Sequence, residues 1–133
     1  MSKILFMSTF LDKSRRNIET AKILLDNGFF IPSVHPAYYG AFLIAKCLLD
    51  NKKVMSFSEQ EKKTKGKDSH NIIQKAVFPL LKQSSPDYMV EFMKLKQMRK
   101  KADYTTEEIA QESISDNFKI ASGFVENIAK LLS

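Results

Sequence analysis

The sequence predicts an all-α protein organised as a five-helix up-and-down bundle, and three observations support that prediction. Only four glycines and four prolines occur among the 133 residues, which disfavours an all-β fold because its many turns need both residue types. Apolar residues recur at spacings of three and four along five segments. The segment 37–49 is apolar on nearly every side but too short to cross a membrane. We therefore expect it to be the buried central helix of one domain covering 1–133.

The first two predicted helices cover 10–27 and 34–50. Gly28 follows the first helix and can adopt the left-handed backbone conformation that often ends a helix. The apolar segment 29–32 is interpreted as a link between the two helices. Pro36 is expected in the first turn of the second helix, where its missing N–H does no harm.

The segment 51–67 is rich in lysine and serine and lacks a helical stripe. We interpret it as an exposed basic connection rather than a domain boundary. The third predicted helix covers 69–83, with Asp68 or Ser69 as its N-cap. Pro79 lies inside its apolar pattern and is expected to kink or end the helix.

The last two predicted helices cover 86–102 and 106–132. The fourth begins with Ser85 as N-cap and a proline at its first position. For the fifth helix, Thr105 and Glu108 have the spacing of a capping box. Short connections between most of these segments are typical of a bundle.

Positive charge is unevenly distributed along the chain, whose net charge is +6. One lysine-rich run lies within the 51–67 connection and a second lies near the end of the fourth helix. A run of charge is often only a solvated face, but two runs on one small domain also suit a polyanion such as RNA. The predicted nucleic-acid-binding residues are Lys65, Lys67, Lys94, Lys96, Arg99, Lys100 and Lys101.

The composition also bears on compartment and cofactors. The single cysteine, Cys47, lies in the buried helix and has no partner for an internal disulfide, so we expect a reducing, cytoplasmic location without membrane insertion. The two histidines and this cysteine do not have the spacing of metal ligands. We therefore expect neither a metal nor another cofactor.

Arg99 lies on the apolar stripe of the fourth helix, four residues after Leu95 and three before Ala102. An arginine on such a stripe suggests a directed role, in a cleft or on a phosphate. The alternative is a simple ion pair with Asp103 one turn later, an arrangement worth only a few tenths of a kcal/mol.

Three motifs occur in order along the chain: Ala-Tyr-Tyr-Gly-Ala-Phe at 37–42, Ser-His at 69–70 with Phe78 eight residues after the histidine, and Arg-Lys-Lys-Ala-Asp-Tyr at 99–104. They resemble the Ala-Tyr-Tyr-Ala-x-Phe helix, the Ser-His helix start and the Arg-x-x-Ala-Asp-Tyr helix end of the HEPN family. The resemblance covers nearly the whole chain. It implies a helical bundle that dimerises, with the end of the fourth helix lining a cleft at the dimer axis.

The resemblance also implies a chemistry. Many HEPN proteins are metal-independent ribonucleases in which the RNA 2′-hydroxyl attacks the phosphate, a histidine handles the proton and an arginine four to six residues earlier stabilises the developing charge. Arg99 matches the arginine, but the histidine position holds Tyr104, preceded by Asp103. A phenol with a pKa of about 10 is a poor base at neutral pH. The candidate catalytic residues are Arg99, Asp103 and Tyr104, with His70 as an alternative base.

The resemblance implies three functions for this chain. The first is binding of RNA or a nucleotide at a dimer cleft around Arg99, as one component of a toxin–antitoxin or defence module that includes a small nucleotidyltransferase. The second is an active metal-independent endoribonuclease toxin. The third is a non-catalytic dimer that binds another protein.

Overall fold

The computed structural model describes residues 3–132, with side chains from Thr9 onward, so the ends of the predicted 1–133 domain lie outside the described residues. This part of the chain contains helices and no strand, which confirms the all-α prediction. The number of helices differs from the predicted five. Over residues 3–132 there are six: α1 (Lys3–Asp26), α2 (Phe30–Asn51), α3 (Phe57–Thr64), α4 (Ser69–Ser84), α5 (Pro86–Tyr104) and α6 (Gln111–Ala129).

Helix α2 is the centre of the bundle and contacts each of the other five helices. Most of its side chains from Ser33 to Asp50 are buried, as the apolar segment 37–49 predicted. It begins at Phe30, so the prediction of a link at 29–32 is wrong. Pro32 occupies the first turn, so the prediction that Pro36 lies there is wrong. Pro36 lies inside the helix, where its missing N–H leaves the carbonyl four residues earlier without its helical hydrogen bond.

Helix α1 packs closely along α2, and it begins at Lys3 rather than at the predicted residue 10. It ends at Asp26, close to the predicted residue 27 and before the predicted stop at Gly28. Gly28 has a φ of +81°. The amide of Phe29 donates to the carbonyl of Leu24, and that of Gly28 donates to Leu25. These two bonds form a Schellman motif, which satisfies carbonyls that the helix end leaves without partners.

The predicted exposed connection 51–67 contains helix α3, so this prediction is wrong in part. Ser56 accepts a hydrogen bond from the amide of Glu59, whose side chain accepts one from the Ser56 amide. This is a capping box. The Phe57 ring stacks on Phe10 with centroids 4.6 Å apart, and Gln60 is buried. The lysines occupy the remaining, exposed face.

The boundaries of the last three helices also differ from prediction. Helix α4 continues through Pro79 to Ser84, so the proline does not end it. Helix α5 starts after Ser85 as predicted, but it extends to Tyr104. Thr105 closes α5, since its hydroxyl donates to the carbonyl of Lys101. It therefore does not cap the next helix, which begins only at Gln111.

Within the part of the chain that the structure describes, no helix is long and apolar enough to span a bilayer.

Candidate functional site

Arg99 lies on α5 with its side chain turned inward, and only 11% of that side chain is exposed. Its guanidinium carbon lies 5.4 Å from the ring centre of Tyr38 and 5.6 Å from that of Tyr104. Both distances suit cation–π contact. The apolar stripe of α5 therefore carries Arg99 against the buried tyrosine of α2, while the last residue of α5 covers it from the other direction.

The polar contacts of Arg99 leave part of its hydrogen-bonding capacity unused. Nη2 donates to the hydroxyl of Tyr104 at 3.3 Å. Nε lies 3.2 Å from Asp103 Oδ2, which is an ion-pair distance. The N–H does not point at that oxygen, however, and the buried Nε makes no hydrogen bond. A buried donor without an acceptor is costly, so an acceptor that reached this N–H would stabilise the guanidinium.

Asp103 connects Arg99 to helix α2. Its Oδ2 lies 3.2 Å from Nδ1 of His35, whose ring stacks on Tyr39 with centroids 5.3 Å apart. Sequence reasoning did not include His35 in the site, because its position directly before Pro36 favours a structural role. In the structure His35 and Tyr38 both lie in α2, where residues three positions apart share a face of the helix.

His70, the alternative base, lies at the start of α4 and contacts the same tyrosine. Its Nδ1 is 2.9 Å from the hydroxyl of Tyr38. Burial lowers the pKa of His70, and the positive charge of Arg99 lowers it further, so the ring is neutral at pH 7. Burial raises the pKa of Tyr38, which therefore keeps its proton.

The hydrogen bond between these two rings determines the tautomer of His70. Tyr38 has no other acceptor for its proton among the described residues. We therefore assign Tyr38 as donor to Nδ1, which puts the imidazole proton of His70 on Nε2. In this form Nε2 donates a hydrogen bond and does not accept a proton. His70 is then suited to binding an anion rather than to acting as a base.

Lys96 adds a largely buried positive charge between Arg99 and α4. The residue is 7% exposed and its ammonium donates to the side-chain oxygen of Asn71. Burial lowers the pKa of Lys96, and the nearby charge of Lys100 lowers it further. Asn71 in turn donates to Asp68, the N-cap of α4. We call the following residues the Arg99 cluster: His35, Tyr38, His70, Lys96, Arg99, Asp103 and Tyr104.

The predicted nucleic-acid-binding residues do not form one surface. Lys96 and Arg99 belong to the Arg99 cluster. Lys94 and Lys101 instead line a groove between α5 and α6 with Ser113 and Asp116. Lys101 also forms an ion pair of 3.4 Å with Glu107. Lys100 is exposed on α5, and Lys65 and Lys67 are exposed in the turn between α3 and α4.

The Arg99 cluster can attract and orient an anion. It presents a guanidinium, an ammonium and two imidazole rings, against one carboxylate in direct contact with Arg99. Across residues 3–132, no group of three or more His, Cys, Asp or Glu side chains is arranged to hold a metal ion.

Comparison with models of known protein families gave no match for this chain, and comparison with curated proteins gave none either.

Proposed function

We propose that this chain is a HEPN-type protein that binds RNA or a nucleotide by holding a phosphate at Arg99. One observation carries the proposal: the Arg99 guanidinium is nearly buried between two tyrosine rings, and its Nε makes no hydrogen bond. Phosphate oxygens, like those of a carboxylate, match a planar guanidinium through two parallel hydrogen bonds.

The neighbours of Arg99 support a phosphate rather than a carboxylate of another side chain. Lys96 adds a second positive charge, and the assigned tautomer of His70 adds a neutral donor. A phosphate has enough oxygens to accept from several donors at once, whereas a carboxylate has two. The lysines of α3 and of the end of α5 would add long-range attraction for a polyanion.

We further propose that the chain works together with a second protein, and this part of the proposal is supported by the three sequence motifs alone. In that proposal the chain acts as a homodimer beside a nucleotidyltransferase partner, with the Arg99 cluster facing the cleft. The tautomer of His70 favours binding over RNA cleavage, since its Nε2 carries the proton and is not free to accept one.

The test is binding of fluorescent RNA, and separately of ATP, to the full chain over a series of salt concentrations. Arg99→Ala should weaken RNA binding by about 10- to 100-fold, because a charge-assisted hydrogen bond contributes roughly 1.5–3 kcal/mol. The salt slope should also become shallower by about 0.7, the value for one phosphate contact on a single strand. If the protein binds RNA but not ATP, the phosphate held at Arg99 comes from a nucleic-acid strand. If it binds both, a free nucleotide can supply the phosphate as well.

Arg16→Ala is the matched control. Arg16 is also an arginine paired with an aspartate one turn away, but its side chain is 73% exposed. It should change affinity by less than about twofold. Equal losses in the two variants would show that only total charge matters and would contradict the proposal. Cleavage of RNA in excess EDTA that disappears with Arg99→Ala would show catalysis at the same residue.

A further inference from the structure

Tyr104 is the most exposed of the large hydrophobic side chains that the structure describes, at 71%. The ring is nevertheless held in place. Its hydroxyl accepts a hydrogen bond from Arg99 Nη2, and the Arg99 guanidinium covers the ring at 5.6 Å. An exposed single aromatic residue is ordinary, but one that is fixed by a buried cation on one side presents a rigid surface on the other.

We infer that Tyr104 is a stacking platform for an unpaired nucleobase, so that the ligand of the Arg99 cluster is single-stranded RNA. The inference rests on the proposed function and adds the class of nucleic acid to it. Aromatic side chains that project next to a positively charged groove are how proteins bind single strands, because every base has a face that can stack.

The contact between Tyr104 and Arg99 places the two subsites side by side. A phosphate held by the guanidinium and a base on the ring would therefore belong to the same or to neighbouring nucleotides. The bases of a duplex are stacked on each other and paired, so they cannot reach the ring without being unstacked. Lys100, which is exposed on the same end of α5, can contact the next phosphate along the strand.

The experiment compares three probes by fluorescence anisotropy: a short oligoadenylate, the same sugar-phosphate chain without bases, and the oligoadenylate paired with its complement. In Tyr104→Leu, affinity for oligoadenylate should fall by about tenfold, the usual effect of losing one stacked base. Affinity for the abasic chain should stay within about twofold, since the phosphate contacts are intact. Tyr104→Phe keeps the ring and should bind oligoadenylate nearly as the native protein does.

Phe29→Leu is the matched control, because Phe29 is also an exposed aromatic residue, at 57%, but lies at the turn before α2. It should leave both affinities unchanged. Equal weakening of the abasic and base-containing probes in Tyr104→Leu, or no weakening of either, would overturn the inference, as would equal binding of duplex and single strand. The affinity of Arg99→Ala for the abasic chain is measured separately and tests the phosphate site alone. Failure of the phosphate site and failure of the stacking platform therefore give different results.

Discussion

Asp103 is the residue that most directly opposes an anion at Arg99. Its carboxylate lies 3.2 Å from Arg99 Nε and therefore competes with a phosphate for the same guanidinium. Asp103→Asn should tighten RNA binding by about two- to fivefold, since an ion pair at a partly exposed site is worth up to about 1 kcal/mol. Anisotropy at low salt measures the change. Asp12→Asn, which breaks the exposed pair with Arg16, should have no effect, and weaker binding in Asp103→Asn would show that Asp103 instead positions Arg99.

His70 should make stability depend on pH. Burial and then the charge of Arg99 hold its pKa below the ordinary value of 6.5 in the folded state. The unfolded chain therefore binds this proton more readily, so the neutral ring stabilises the fold fully above about pH 6.5, and this contribution is lost as the pH falls toward the folded pKa. The free energy of unfolding by urea should decrease between about pH 7 and pH 5.

His70→Gln should show a smaller decrease over the same pH range, because it lacks the titrating group. His35→Gln, which removes the chain's other histidine, is the control for losing an imidazole. If the two variants and the native protein have the same pH dependence of unfolding, then His70 does not titrate differently in the folded state.

The candidate site could be predicted in part. The stripe of α5 indicated that Arg99 is directed inward, because its spacing from Leu95 depends only on helix geometry. His35 and Tyr38 could not be assigned to the site by the same means. Their places in the site depend on how α2 packs against α5, which brings Tyr38 to Arg99 and His35 to Asp103, and no spacing along the chain encodes that packing.

At the scale of single elements, the end of α1 depends on Gly28. The left-handed conformation at this position, with φ of +81°, costs a residue that has a Cβ atom about 1–2 kcal/mol. Gly28→Ala should therefore lower the free energy of unfolding by about 1 kcal/mol, measured by urea at constant m-value. Gly28→Asn should cost less, since Asn tolerates this conformation. An alanine variant as stable as the native protein would contradict the Schellman assignment.

The end of α2 has the same geometry but not the same residue. Lys53 has a φ of 59°, and the amide of Val54 donates to the carbonyl of Leu49. Lys53→Gly should relieve the strain and raise the free energy of unfolding by about 1 kcal/mol. Lys52→Gly is the control, because Lys52 has a φ of −87° and no strain to lose. A gain in both variants, or in neither, would contradict this reading of the helix end.

Helix α3 could not be predicted from the apolar pattern of the sequence. Its capping box, Ser56 and Glu59, is visible in the sequence, but the eight-residue helix carries two lysines and too few apolar residues for a stripe. An isolated helix of this length is not stable in water. It is held by tertiary contacts, chiefly Phe57 on Phe10 and the buried amide of Gln60, which donates to the carbonyls of Lys46 and Met55. Such contacts cannot be read from local sequence.

At the scale of the whole molecule, α2 joins the core to the candidate site. Tyr38 is fully buried and its ring contacts Phe92 of α5, while its hydroxyl reaches His70 and its face lies against Arg99. The apolar character of the segment 37–49 was enough to predict the centre of the bundle. Which helices surround it depends on the shapes of many side chains together, and no periodicity encodes that.

Replacing glycine by alanine should have opposite effects on stability at two positions of this bundle, and the first position lies where α1 packs against α2. A Cβ atom at Gly40 would lie 2.8 Å from Ile18 Cδ1 and 3.0 Å from the backbone oxygen of Ser14, whose hydroxyl donates to the Gly40 carbonyl. The Ile18 side chain can rotate, but the backbone of α1 would have to move. Gly40→Ala should therefore lower the free energy of unfolding by about 1–3 kcal/mol.

Gly123 provides the counterpart within the same bundle. It lies in the interior of α6, it is exposed, and a Cβ atom there would meet nothing within 4 Å. Gly123→Ala should raise the free energy of unfolding by about 0.5–1 kcal/mol, because alanine loses less backbone entropy in a helix. Urea titrations of the two variants against the native protein measure both signs. If Gly40→Ala is stabilising as well, then glycine at position 40 is not required by the contact between α1 and α2, and that contact is looser than the structure describes.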